Sequence, residues 1–155
     1  MTTVRDEPEQ ALAAAVRSMW IAEAALGGLG TVGGALVVGS AIDGVMPWLA
    51  LASIAIVLVY LALVPRLRHE RWRWSLREGE LDLRHGVWRV TRTIVPITRI
   101  QHVSVERTGW TNFFGLVLLH VHTAAGKTTI PGLERATADE LRDRILARLR
   151  TPDDL

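Results

Sequence analysis

The chain has 155 residues, room for one small domain and whatever anchors it. It has no cysteine, which excludes disulfides, thiol chemistry and Cys-ligated metals, and 49% of it is apolar, with a mean hydropathy of +0.22 that is high for a soluble domain. The pI of 9.9 is no sign of a nucleic-acid partner: the basic residues are 17 Arg and one Lys, little titrates between neutrality and the arginine range, and a net charge of +2 suffices.

Residues 1–18 read as a short N-terminal segment ahead of an apolar region, 19–65. Two uncharged runs fill that region, nineteen residues over 24–42 and eighteen over 47–64. A spanning helix needs about 20 apolar residues to cross about 30 Å of hydrocarbon. Neither run shows the polar face that a soluble helix pair would carry. Only residues 43–46 separate them, so they are expected to form a two-helix transmembrane hairpin. A cleaved leader fits less well, because a second apolar run follows almost at once.

Charge sets the expected orientation. Arg5 and Arg17 precede the first span, the loop carries only Asp43, and Arg66, Arg68, Arg71 and Arg73 follow the second. Lys and Arg favour the inside. Both termini are therefore expected in the cytoplasm, with the chain multi-pass in the inner (cytoplasmic) membrane. The Arg collar sets topology and is a candidate contact for membrane lipids, each residue contributing about 1 kcal/mol at an anionic surface.

In the first span, Gly30 and Gly34 form a G-x-x-x-G, and Ala35 and Gly39 repeat the spacing one turn later. Small residues let helix backbones approach closely in lipid. These four are candidate packing residues, either within the hairpin or against a second copy. Glu23, at the edge of the span, suggests an interfacial acid. An ion-path role for it belongs to an alternative reading of the chain, as an accessory subunit of a transport, export or envelope-stress resistance system.

From Trp72 the period changes to two. Trp72, Trp74 and Leu76 alternate with Arg73, Ser75 and Arg77; Glu78-Gly79 marks a turn; Leu81 and Leu83 alternate with Asp82 and Arg84. Residues 87–96 read as a third strand with Trp88, Val90 and Ile94 on one side and Arg92 intruding among them. "ITRI" suggests a single helical turn. Residues 101–107 read as a strand with Val103 and Val105 inward, 108–115 as turn residues and aromatics, 116–123 as another strand, and 128–132 as a short last one after the AAGK turn. The period then becomes helical: Thr137 and Glu140 match a capping box, and Ala138, Leu141, Ile145 and Leu149 form an apolar stripe. Thr151-Pro152 ends it, leaving 151–155 as a tail. Short antiparallel strands followed by one amphipathic helix suggest a small barrel or sandwich over 66–150.

His120 and His122 share a strand face, and His102 lies on the outward face of its own strand. H-x-H supplies two imidazoles, but a zinc site needs a third ligand in register. The histidines are expected to be surface or half-buried groups, with a metal site as a minor alternative. Arg99, Glu106 and Arg107 are expected to make cross-strand charge contacts. No nucleophile elbow, phosphate-cradling loop or H-E-x-x-H is present. No enzyme and no cofactor are expected.

The segments Val95-Pro96, Arg99-Ile100-Gln101-His102-Val103, Phe114-Gly115-Leu116, Val121-His122-Thr123-Ala124 and Ile130-Pro131-Gly132-Leu133 resemble the bacterial pleckstrin-homology-like domain of the YdbS-like membrane proteins. The resemblance covers roughly 72–149, and the preceding hairpin fits it too. It implies a PH-like barrel or sandwich with a C-terminal helix, in which Pro96, Arg99, Gln101, His102, Gly115, His122, Pro131 and Gly132 are fold residues. It also implies association with a second membrane protein carrying several such domains. It brings no catalytic residue. Arg84, Arg89 and Arg92 are candidate cations for an anionic ligand of such a domain, and a homo-oligomer is a further possible assembly.

Overall fold

Two helices take up most of the first half of the chain. In the computed structural model, which describes residues 8–42, 44–77 and 79–150, α1 spans Ala14–Ser40 and α2 spans Met46–Arg71. Asp43, in the expected hairpin loop, lies outside the described residues, as do Arg5, Glu78 of the expected turn, and the tail from Thr151. Both helices are long and apolar enough to cross a membrane, and only 6% of each apolar window is buried. A core helix of a soluble protein would be mostly buried, so these faces await lipid.

Close approach between the helices uses Gly28 and Gly39. A Cβ at Gly28 would lie 2.5 Å from Val57 Cγ1, and one at Gly39 would lie 2.7 Å from the Met46 backbone. Around Gly30 and Gly34 nothing comes within 4 Å. Pro65 lies inside α2 where the apolar run gives way to arginines, and its missing N–H removes one bond of the helical ladder.

The remaining elements are strands until the last. The first sheet contains β1 (Gln10–Ala11), β2 (Arg73–Leu76), β3 (Glu80–His85) and β4 (Thr91–Pro96), antiparallel and in that order. A 3-10 turn, Ile97–Arg99, leads to β5 (Ile100–Glu106), α3 (Gly109–Phe113), β6 (Leu116–Thr123) and β7 (Gly126–Glu134), which form the second sheet in the order β5-β6-β7. Helix α4 closes the domain over Arg135–Arg150. The sheets do not join into a closed barrel; they form a sandwich. Its core is Trp72, Trp74, Leu81, Leu83, Val95, Leu119, Val121, Ile130 and Leu133, together with Ala138, Leu141 and Ile145 of α4. Each fully buried Leu or Ile is worth roughly 1.5–3 kcal/mol against exposure.

Four features differ from the expectation. Strand β1 carries no alternating pattern of its own, yet Gln10 pairs with Trp74 and Ala11 with Arg73. Residues 8–16 thus belong to the same unit as the β domain, and the hairpin unit runs from Arg17 to Leu67. The third expected strand starts at Thr91, because Gly86 (φ +127) turns the chain so tightly that a Cβ there would overlap the Arg89 carbonyl. Residues 109–113 are a helical turn. Helix α4 begins two residues before the expected Thr137 cap.

Candidate interaction surface

The four arginines after the second span play different parts. Arg66 is exposed on α2. The Arg71 guanidinium donates to the Val87 carbonyl and ties the end of α2 to the connection between β3 and β4. Arg73 donates to the Trp72 carbonyl at 3.0 Å and the His69 carbonyl at 3.2 Å. His69, with its proton on Nε2, donates to the Ala13 carbonyl at 3.2 Å. These bonds hold residues 13 and 69–73 together where the chain enters the β domain.

Arg68 lines a cleft of about 440 Å³ at an open corner of the sandwich. The other walls are Trp72, Leu83, His85, Thr93, Lys127, Thr128, Thr129 and Pro131. The corner is open because the two sheets do not close on each other. Its lining holds two fixed cations, one histidine, three hydroxyls and no carboxylate. Trp72 stacks on His85 at 5.9 Å, and His85 Nδ1 is buried without a hydrogen-bond partner. Such a lining, with two cations and no carboxylate, suits an anionic oxygen group.

Arg92, expected among the cations for an anionic ligand, is committed to a carboxylate. It forks onto both oxygens of Asp82, at 3.0 and 3.1 Å from Nε and 2.5 Å from Nη2. Strand pairing explains this: Arg84 lies opposite Arg92 and Asp82 opposite Ile94, so Asp82 and Arg92 are diagonal neighbours on the outer face. Arg84 lies beside this pair on β3, and Arg89 is exposed between β3 and β4.

The histidines gather on the outer face of the second sheet. His102 pairs with His122 across β5–β6, and their rings stack at 4.0 Å. His120 is 5% exposed, with Nδ1 2.8 Å from Thr129 Oγ1 and Nε2 2.6 Å from Glu106 Oε2. Glu106 thus makes its cross-strand contact with a histidine, and Arg99 and Arg107 are exposed. Among the described residues, no group of three or more His, Asp or Glu is arranged to hold a metal ion.

Partial burial, and then the nearby His102, Lys127 and His120, hold the His122 pKa below the usual histidine value. Glu106 faces His120 on the same side. A histidine in the unfolded chain takes up its proton near about pH 6.5, whereas folded His122 does so only at lower pH. The unfolded state then binds more protons, so the stability His122 allows is full above that value and declines as pH falls through it. Thermal unfolding of the full chain in detergent should show this decline, and His122→Gln should flatten it. Parallel curves for the two proteins would assign the pH dependence to other groups.

At the far end of β6 lies an aromatic cluster. Thr108 caps α3: its Oγ1 accepts from the Thr111 N–H at 3.1 Å, and Thr111 Oγ1 accepts from the Thr108 N–H at 3.0 Å. This fixes Trp110, Phe113 and Phe114, whose rings lie 5.1–6.5 Å apart. Phe113 is 80% exposed.

The motif residues hold corners. Pro96 ends β4, and the next N–H, of Ile97, donates to the Gly79 carbonyl at 3.0 Å. Arg99 closes the 3-10 turn, and Gln101 sits at the register shift between Ile100 and His102. Gly115 and Gly132 both have φ +69. Pro131 and Gly132 lie in the irregularity of β7, where the buried Val16 occupies the space a Gly132 Cβ would need.

The chain is similar to known proteins. A profile described as Bacterial PH domain matches residues 24–149, which takes in both uncharged runs. Over 107 residues the chain is 39% identical to the UPF0699 transmembrane protein YdbS of Bacillus subtilis (strain 168). That match takes in 69% of this chain and 64% of the relative, so just under two thirds of the relative's length is spanned. Among solved structures, a DUF1696 family protein with a pleckstrin-homology domain from Shewanella loihica PV-4 is similar at a TM-score of 0.41 and 18% identity, over 61% of this chain and 92% of that one.

Proposed function

Because the chain belongs to the bacterial PH domain family, we propose that it works without catalysis, as a membrane protein that presents its sandwich to the anionic cytoplasmic leaflet and to a partner membrane protein. Two apolar helices and a bacterial PH domain make up the described chain. In this reading it lies in the inner membrane with both termini in the cytoplasm. The pairing of β1 with β2 supports that topology: residues 10–11 and 73–74, which flank the hairpin, lie in one sheet and hence on one side of the bilayer. The arginines after α2 favour the inner side.

The observation that carries the reading is the acid-free cleft of Arg68, His85 and Lys127 at the corner where α2 delivers the chain. The partner face is the α3 cluster, since a rigid exposed aromatic patch is what a protein partner buries. The resemblance to the YdbS-like proteins supports a partner with several PH-like domains. The open surroundings of Gly30 and Gly34 support self-association through α1 as a further assembly.

Full-length protein in nanodiscs tests the lipid half. Replacing neutral by anionic lipid should slow amide exchange over residues 86–91 and 124–127 in the wild type. Arg89→Glu with Lys127→Glu should lose that response. Equal exchange in both lipids would defeat membrane docking. Crosslinking in native membranes tests the partner half: a larger complex is expected, lost in Phe113→Asp, and recovery of the monomer alone would defeat it.

A further inference from the structure

The connection between β3 and β4 has an unusual tip. Gly86 bends the chain sharply, and strand pairing resumes at His85–Thr91. Between them Trp88 is 92% exposed and Val90 is 44% exposed, with Arg89 beside them. A tryptophan held out from a sandwich leaves a large apolar ring in water. Its preferred surroundings are the headgroup layer of a bilayer, which takes the ring and the indole N–H together.

The position of the tip relative to the chain identifies what covers it. Val87, its first residue after Gly86, accepts from the Arg71 guanidinium. Arg71 is the last residue of α2, seven residues beyond Val64, where the uncharged run stops. Seven helical residues rise about 10 Å. The interfacial layer on each side of the hydrocarbon is about 5–8 Å deep. The chain by itself therefore keeps the anchor point of the tip within about 10 Å of the end of the uncharged run. Arg89 at the tip and Lys127 at the neighbouring cleft supply cations for lipid phosphates. Among the described residues of the β domain the other exposed aromatic, Phe113, lies at the opposite end of β6, whose eight residues extend about 26 Å from the hairpin that carries Lys127.

We propose that the Gly86–Val90 turn is a membrane-interface anchor: Trp88 lies among the phospholipid headgroups of the leaflet from which α2 emerges, and Arg89 contacts their phosphates. This rests on the membrane-docking reading and adds an apolar foothold to its electrostatic one. It fixes the sandwich by a third point, besides the two chain connections to the hairpin.

The chain has no native cysteine, so single-Cys variants can be labelled uniquely. A nitroxide at Trp88→Cys and another at Phe113→Cys, in full-length protein in nanodiscs with anionic lipid, are compared for collision with oxygen, which enters lipid, and with a water-soluble nickel chelate. Both side chains are exposed, so neither change threatens the fold. The ratio of oxygen to nickel collisions should be severalfold higher at 88 than at 113. Equal, water-like ratios at both positions would overturn the anchor. If the anionic-lipid protection of residues 86–91 nevertheless persisted, docking by charge would stand without it; if that protection vanished as well, the docking reading would fall too. Shielding of position 88 from both reagents would mean that protein covers it, and would likewise overturn the proposal.

Discussion

Arg92→Leu should destabilise the β domain by about 3 kcal/mol, the lower end of the range for breaking a buried ion pair. Asp82 is fully buried, at 0% exposure, and Arg92 keeps a third of its side chain in solvent, which is why the lower end applies. Removing the guanidinium leaves a buried carboxylate on the outer face of the first sheet with its fork of donors gone. The cost therefore comes mainly from the stranded charge, and less from the attraction that is lost. Asp82→Leu combined with Arg92→Leu should recover most of the stability, because two apolar side chains need no partner. Chemical unfolding of the full chain in detergent micelles, followed through the buried Trp72 and Trp74, measures all members of the cycle. A double variant as unstable as Arg92→Leu alone would show that the pair is not the source of the loss.

Gly132→Ala has the second large effect expected. Two independent costs meet at this residue. Its φ of +69 is one that residues with a Cβ avoid, at about 1–2 kcal/mol. The new Cβ also overlaps Val16 Cγ2 at a fully buried position, and overpacking of that kind costs typically about 1–3 kcal/mol. A loss of about 3 kcal/mol is expected. Val16→Ala in the same chain should recover the steric part and leave the backbone part. If the two substitutions proved simply additive, the contact between the N-terminal segment and β7 would be irrelevant to the loss. The comparison separates what Gly132 does for its own turn from what it does for Val16.

These two sites show where sequence reading stopped. Arg92 looked like an intruder on an apolar strand face, or a cation available for an anionic ligand. Its true role depends on the register of β3 against β4, which places Asp82 diagonally across from it. Gly132 was legible as a motif residue through the family resemblance, but its neighbour Val16 lies more than a hundred residues earlier. Likewise, the histidines could be placed on faces by alternation, while the partnership of His120 with Glu106 needed the β5–β6 pairing. Trp88 fits the two-residue period of a strand. A glycine turn of that sharpness leaves the same local pattern as a strand that starts late.

What could be read from the linear chain alone is what local physics dictates. Two uncharged runs of bilayer length suffice to identify the hairpin, because lipid offers no partner to polar groups over the whole stretch. Alternation suffices to mark most strands and the apolar stripe most of the last helix, because each element must turn one face to a core. Which residues meet across those faces was settled only by the tertiary fold. The pairing of Gln10 with Trp74 over the hairpin, the fork of Arg92 on Asp82, the acid-free corner between unclosed sheets and the outward Trp88 all depend on long-range register. A period of two or 3.6 carries no information about which distant segment will supply the neighbour.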